Sequence, residues 1–556
     1  MKKSVRLFSL VAVLVLLMAA VGSAGAKPSG TVSVQILAVN DFHGNLEPPP
    51  GSSGRIGTIN AGGVEYVATH INNLRATNPN TVVVSAGDMI GASPLLSALF
   101  HDEPTIEAFN QIGLDLNAVG NHEFDEGWHE LVRMQEGGCH PVDGCLDGDD
   151  FAGASFQFLA ANVVRKDNGK TIFPAYKVRS FGSARIAFIG MTLEGTPLIV
   201  TPSGISDLNF LDEADTVNAL VPQLKAKGIE TIVVVIHEGG FPTGGYNECP
   251  GISGPIVDIV NRTSDEVDLF ITGHTHQAYN CVIDNRPVTS ASSFGRIVTD
   301  IDLTIDRATG ESTIVSVNNN IVTRNVPKDN SMTALIAKYN AIAAPLANRV
   351  IGSITADITR TANAAGESAL GDVIADAQLE ATNDPGFGEA VVAFMNPGGI
   401  RADLTYASSA AGEGDGNVTY GEMFTVQPFG NSMVTMTLTG AQIDALLEQQ
   451  ATAGSDGLGR TLQISHTLTY SWNASAPNGS KVDIASIMIN GVPIDPNASY
   501  RVTVNSFLAD GGDGFTVLTQ GTNRLGGEVD TDALEKYFQA HSPVEPGPQN
   551  RITLIP

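Results

Sequence analysis

The sequence predicts an α/β protein of two domains, and three observations lead there. Short, β-branched apolar runs recur between residues 31 and 325, each followed by a helical or Gly-rich segment. That is the pattern of strands buried on both faces. The chain has 556 residues, beyond the roughly 250–300 at which one core stops growing. An Ala-rich helical stretch then separates this region from a second one with its own strands and helices. A hydrophobic fraction of 42% excludes global disorder.

In chain order, residues 1–26 read as a signal peptide. Lys2, Lys3 and Arg6 precede an apolar run from Phe8 to Val21, and Ala24-Gly25-Ala26 is a small-residue cleavage site. The run is short for a membrane span, which needs about 20 residues. An exported protein in the periplasm or outside the cell is expected, with no membrane anchor in its mature form. Residues 31–325 carry strands at Val32–Val39, Thr81–Ser85, Leu116–Val119, Arg185–Ile189, Thr231–Ile236 and Val267–Ile271. Residues 326–350 hold a connecting helix, read over Asp329–Arg349 despite Pro345. Residues 351–556 form the second domain, with strands at Val391–Met395 and Arg501–Val504 and helices at Gly371–Glu380 and Gly440–Gln449.

The charge is strongly acidic: 59 Asp+Glu against 31 Lys+Arg, a formal −28. Cleavage of the signal removes three basic residues and no acidic one, giving −28 − 3 = −31. Nucleic acid polymers and anionic membranes want a basic face, so both are excluded as partners. A small anionic substrate is compatible only with a local reversal of the field. Export favours disulfides. Cys139 and Cys145 share a Gly- and Asp-rich loop and are paired, leaving Cys249 with Cys281; a Cys/His metal site using His140 is the weaker alternative. The acidic stretch Asp147-Gly148-Asp149-Asp150 reads as a solvated loop rather than a calcium site.

Five apolar strands run directly into polar clusters. Val32–Val39 leads to Asp41 and His43, and Thr81–Ser85 to Gly87-Asp88. Leu116–Val119 leads to Gly120-Asn121-His122-Glu123-Phe124-Asp125. Thr231–Ile236 leads to His237, and Val267–Ile271 to Gly273-His274-Thr275-His276. In open α/β sheets the carboxyl ends of strands form the ligand crevice. Any one D-x-H or G-x-H is usually a loop residue or a satisfied core histidine; five in register are not. Imidazole, carboxylate and amide oxygen together suit borderline divalent ions, with no thiolate to force zinc. Such a pair of ions serves displacement at phosphorus. His70, His101, His129, His140, His466 and His541 lack this context.

In this order, D-x-H, G-D, G-N-H-E, H and G-H-x-H resemble the calcineurin-like metallophosphatase signature. The strings N-D-F-H-G-N-L, G-N-H-E-F-D and G-H-T-H-Q are similar to those of the bacterial 5′-nucleotidase family, and the likeness spans the mature chain. It implies an N-terminal αββα sandwich and a C-terminal α/β nucleotide-binding domain. It assigns Asp41, His43, Asp88 and His276 to one ion and Asp88, Asn121, His237 and His274 to another (Zn, Mn, Co, Fe or Mg). Some relatives carry Gln where this chain has His276. His122 and Asp125 match the catalytic pair, which assists attack of a hydroxide shared by the two ions on phosphorus.

In the second half, N-P-G-G-I-R, Q-P-F-G-N and G-G-D-G-F carry the likeness. Two aromatics can sandwich a base, Asp can accept from ribose hydroxyls, and Arg fits phosphate oxygens. The resemblance gives Arg401 and Arg360 to phosphate, Phe429 and Phe507 to the base, Asp513 to ribose, and Asn396 or Asn431 to base edges. Asp372 stands where some relatives have a further Arg, which bears on phosphate affinity. The expected activity is removal of the 5′-phosphate from small-molecule nucleotides. UDP-sugar hydrolysis, 2′,3′-cyclic-nucleotide phosphodiesterase activity and sulfur-ester hydrolysis are the enzymatic alternatives. An inactive extracellular nucleotide-binding protein is the alternative from another class, disfavoured by the intact ligand set.

Overall fold

The computed structural model describes residues 30–49, 51–200, 202–409, 411–454 and 459–555; the signal peptide expected at 1–26 lies outside them. The first region begins β1 (Thr31–Val39), α1 (Val64–Arg75), β2 (Thr81–Ser85), α2 (Leu95–Ala98), α3 (Glu103–Ile112), β3 (Leu116–Ala118), α4 (Trp128–Glu136) and β4 (Gln157–Leu159). It continues with β5 (Tyr176–Phe181), β6 (Ala184–Thr192), α5 (Glu213–Ala226), β7 (Thr231–His237), α6 (Pro255–Arg262) and β8 (Leu269–Thr272). The strands β9 (Ala278–Ile283), β10 (Arg286–Ala291), β11 (Ile297–Asp306) and β12 (Ser312–Ile321) complete it. Two six-stranded sheets result, ordered β12-β11-β1-β2-β3-β4 and β9-β10-β8-β7-β6-β5. Their central strands, β1 to β4 and β6-β7-β8-β10, pair in parallel.

Side-chain alternation explains why these strands are apolar at nearly every position. Val34, Ile36 and Ala38 of β1 meet Phe188, Val233, Val235 and Leu269 between the sheets. Leu37 and Val39 point the other way, into helices α1 and α3 through Val67, Ile71 and Phe109. On the far side, Ile232, Val234 and Ile236 of β7 pack on Val217, Leu224, Ile256 and Val260 of α5 and α6. Helices therefore cover both outer faces, the expected αββα sandwich. Each fully buried aliphatic side chain contributes roughly 1.5–3 kcal/mol, so a charge at Ile36 or Val234 would break the stack.

Helix α7 (Asn330–Ala347) is capped by Asp329, whose side chain accepts from the Ser331 and Met332 amides. It does more than connect. Met332, Leu335, Ile336, Tyr339 and Ala343 recur at helical spacing and join the core on the α1–α3 side. Tyr339 lies edge-on to Phe100 with ring centroids 4.8 Å apart. Lys338 Nζ reaches Asp147 at 2.7 Å, and the Tyr339 hydroxyl donates to the same carboxylate at 3.1 Å. The Asp147 side chain is thus only 2% exposed, because two donors on α7 hold that carboxylate in place, while Gly148, Asp149 and Asp150 face solvent as expected.

The second region contains α8 (Ala369–Glu380), β13 (Val392–Met395), α9 (Tyr420–Val426), β14 (Ser432–Thr439) and α10 (Gly440–Gln449). After these come β15 (Gln463–Ile464), β16 (Ser499–Asn505), β17 (Thr522–Val529) and α11 (Asp530–His541). The sheet order is β15-β13-β16-β14-β17, with β13 and β16 parallel. Thr439 and Gln442 form a capping box that starts α10. That helix buries Ile443 and Leu447 on Phe394, Met436 and Val502. The disulfides are Cys139–Cys145 and Cys249–Cys281, with Cα atoms 4.7 and 5.1 Å apart. Among the described residues no helix is long and apolar enough to cross a membrane.

Candidate active site

The chain leaves β1, β2, β3, β7 and β8 at one edge of the sandwich, and the loops beyond them run side by side. Asp41 N donates to Gly87 O at 2.9 Å, and His43 N to Asp88 O at 3.0 Å. Five of the expected ligands, Asp41, His43, Asp88, His274 and His276, have φ between 47° and 69°. Non-glycine residues rarely adopt this left-handed region, and such strain clusters where function demands it.

Two groups of side chains converge. Asp41, His43 and His276 form one: His276 Nε2 lies 3.3 Å from Asp41 Oδ1 and 3.1 Å from His43 Nε2. Asp88, His237 and His274 form the other, with Asn121 Oδ1 3.0 Å from His274 Nδ1. Asp88 also stands 3.7 Å from His43, so it touches both groups. All seven expected ligands are therefore brought together. The backbone fixes ring orientation: Ala86 O accepts from His237 Nδ1 at 2.7 Å, and Gly91 O from His43 Nδ1 at 2.9 Å. Both Nε2 atoms are left for the centre, the arrangement that backbone carbonyls behind ligating imidazoles impose.

These residues fit divalent ions. His237 Nε2 is buried and lacks an aligned hydrogen bond, although Asp88 Oδ2 is 2.8 Å away. Two ligands of one ion stand in that relation. Burial holds His43 well below its ordinary value, and burial with His237 takes His274 down to about 3; both are neutral imidazoles. Burial alone would raise Asp88, yet His237, His122 and His43 together hold it well below the carboxylate range. Burial also opposes charge on His237, but Asp88 and Asp41 raise it to about 10. A cation between the pair takes the place of that proton. The surroundings leave no slack: a Cβ on Gly120 would stand 2.2 Å from Asp88 Oδ1.

His122 Nδ1 and Asp125 Oδ2 are 2.8 Å apart. Burial lowers the imidazole, but Asp125 and Asp88 overcome it and the net shift is upward. Phe429, from the second region, stacks on this ring with centroids 5.6 Å apart at 19°. Arg401 lies 5.9 Å over the Phe429 ring. A cavity of about 200 Å³ is lined by Asn121, His122 and Asp125 from one side and by Asn396, Arg401, Phe429, Asn431, Phe507 and Asp513 from the other. A second lobe, about 290 Å³, adds Glu238, Phe241, Pro255 and Thr275 beside Asp88, His122 and Arg401.

The fold answers one question the sequence left open and places one expected residue off the cavity. Asp372 does not approach the cavity: it is fully buried, accepts from Gln549 N at 2.9 Å and faces Arg551 at 3.7 Å. Burial, only partly offset by Arg551, raises its carboxyl to about 7. Its place in the first turn of α8 serves the core, not phosphate. Arg360 lines neither lobe; its guanidinium donates to Ile400 O at 3.3 Å beside Arg401. Asn396 does line the cavity, but its amide is engaged by Asp513 at 3.2 Å and Asn505 at 2.9 Å, so it braces Asp513.

Sequence reasoning missed Arg460, which borders both lobes; a single Arg in a Gly-rich stretch gave no signal. It also left Glu123 without a role. That carboxylate accepts from the backbone amides of Asp88 and Met89 at 2.9 Å each and of Gly120 at 2.5 Å. Burial and Asp88 raise it to about 7. It ties the β2 and β3 loops together, and its position inside G-N-H-E was the available clue.

Residues 34–278 match the family model for calcineurin-like phosphoesterase, and residues 350–520 that for the 5′-nucleotidase C-terminal domain. The chain is 32% identical to endonuclease YhcR of Bacillus subtilis over 96% of its own length, but spans only 42% of that relative. It is 30% identical to cell wall protein Lmo0130 of Listeria monocytogenes, covering 93% of this chain and 68% of the other. Among solved structures, a 5′-nucleotidase precursor from Thermus thermophilus superposes with a TM-score of 0.77 at 28% identity, over 94% of this chain and 99% of that one.

Proposed function

Because the chain belongs to the 5′-nucleotidase family of calcineurin-like phosphoesterases, we propose that it is an exported, metal-dependent hydrolase that removes the 5′-phosphate of nucleotides. The observation that carries this reading is the cavity joining His122 and Asp125 to Arg401, Phe429, Phe507 and Asp513. It brings together groups that suit the parts of a nucleotide: a phosphoryl centre, a cation, a polar ribose partner and aromatic faces. Asp41, His43, Asp88 and His276 would hold one divalent ion; Asp88, Asn121, His237 and His274 would hold the other. When bound, such a pair acidifies water and offsets the charge of a reacting phosphoryl group.

The chain's own residues do the rest. Arg401 binds phosphate oxygens with its planar fork. Asp125 holds His122 Nδ1, leaving Nε2 to give a proton to the departing ribose oxygen. Phe429 and Phe507 stack on the base, and Asp513, steadied by Asn396, accepts from ribose hydroxyls. Phosphate release from AMP with Mn²⁺ or Zn²⁺ tests the reading: His122→Ala should lower turnover about 10²–10⁴-fold. Equal rates in the two proteins would sink it.

The second lobe favours one further reading. Glu238, Phe241 and Thr275 line this lobe and not the one that holds the aromatic pair, so it offers room for a group on the other side of the scissile phosphate. A nucleoside diphosphate sugar or another phosphodiester is then a second substrate class, in keeping with the endonuclease name of one relative. Comparing AMP with UDP-glucose and 2′,3′-cyclic AMP on metal-defined protein separates these substrates.

A further inference from the structure

We propose that His101, Glu126, Glu130 and His140 form a surface site for an additional divalent ion of the zinc class, separate from the active site. Each offers a ligand atom, and these four atoms lie within 4.8 Å of one another. They come from four segments: the α2–α3 junction, the turn after Asp125, helix α4, and the loop closed by Cys139–Cys145. The cysteines are consumed in that disulfide, so the ligand set is two imidazoles and two carboxylates. Such a set suits Zn²⁺, Co²⁺ or Ni²⁺ rather than Ca²⁺ or Mg²⁺, which take oxygen ligands.

The imidazoles are held close together. Their rings stack with centroids 3.8 Å apart at 18°, and both side chains are only 15% exposed. Asp143 Oδ2 lies 3.1 Å from His101 Nε2 and 3.2 Å from His140 Nδ1. The Asp143 carboxylate thus takes the outer nitrogen of His101, as outer carboxylates do behind metal-bound histidines, while the Asp143 amide donates to His140 Nδ1 at 3.1 Å. The remaining nitrogen of His101, Nδ1, meets Glu126 Oε2 at 2.8 Å; an ion there displaces one proton. Glu130 is shared with Arg133, which keeps Glu103 as a second acidic partner when Glu130 turns to the ion. His101 itself sits at φ 52°, outside the relaxed backbone regions.

The test counts Zn²⁺ in purified protein equilibrated with buffered low-micromolar Zn²⁺. The parent should retain one equivalent more than His101→Ala/His140→Ala, with AMP hydrolysis alike in both. Equal zinc content in the two proteins would overturn the proposal, whatever the active site holds. Asp143→Asn guards against a misfolded double variant: it should weaken the same equivalent roughly 10–100-fold, and parent-like affinity there would also count against the site.

Discussion

Replacing Gly120 by Ala asks whether Asp88 is the carboxylate shared by the two halves of the centre. The new Cβ would stand 2.2 Å from Asp88 Oδ1 and 2.6 Å from its amide nitrogen. Real contacts essentially never fall below 3.0 Å, so the carboxylate must retreat by about 0.8 Å, the difference between the two distances. It has little room: Oδ1 accepts from His122 N at 2.9 Å, Oδ2 is 2.8 Å from His237, and its amide is held by Glu123 at 2.9 Å. Metal–ligand distances tolerate only about ±0.2 Å. Affinity for Mn²⁺ or Zn²⁺ should therefore fall by roughly 100-fold, the upper end of what a disturbed outer partner costs, and AMP turnover with it. Overpacking costs about 1–3 kcal/mol of stability, leaving the chain folded by circular dichroism. Gly526→Ala, where a Cβ meets open space, is the control. A Gly120→Ala protein that binds its ions with parental affinity would refute the shared role of Asp88.

Three further outcomes are expected. Phe507→Ala should raise KM for AMP by about 5–150-fold, the equivalent of 1–3 kcal/mol of base stacking, while p-nitrophenyl phosphate, which has no base, is hydrolysed as before; parallel losses on both would show that the aromatic does not read the base. Burial raises Asp530 to about 7, so folding favours its protonated form, and the stability this carries is lost as pH rises from its unfolded value near 3.8 to about 7. Asp530→Asn removes that slope: its melting temperature relative to the parent should climb between pH 4 and 8, and a constant offset would contradict the argument. Removing the Cys249–Cys281 bridge, which spans 32 positions, should cost about 2–4 kcal/mol in denaturant melts because it anchors the loop after β7 to β9; an unchanged midpoint would show that loop to be held otherwise.

The centre was legible because its chemistry is written at strand ends. Asp41, Asp88, Asn121, His237 and His274 each follow a buried apolar run, and the run tells where the side chain emerges. Strand limits moved little: the run read as Leu116–Val119 ends at Ala118, and that read as Arg185–Ile189 extends through Thr192. What was not legible depends on distant packing. The sequence left open whether Asp372 bears on phosphate, and only Gln549 and Arg551, far along the chain, reveal that it faces inward. Arg460 belongs to the site only because the fold brings it beside Arg401 at both lobes. His101 and His140 look unremarkable singly; their stacking joins segments 39 residues apart, and no local pattern encodes it. The left-handed backbone at His43 and His276 was equally hidden, since neither residue type announces it.

Helix α7 also dictates where this molecule can be divided. A fragment ending at residue 325 would keep every proposed metal ligand yet lose Met332, Leu335, Ile336 and Tyr339, uncovering Phe100 and leaving Asp147 without Lys338. Such a piece would be sticky and short of a wall. A fragment carried through Ala347 takes that wall with it and leaves behind the aromatics, Arg401 and Asp513. It is the longer piece that could be purified as a catalyst without substrate preference, and the comparison of the two would separate folding from recognition.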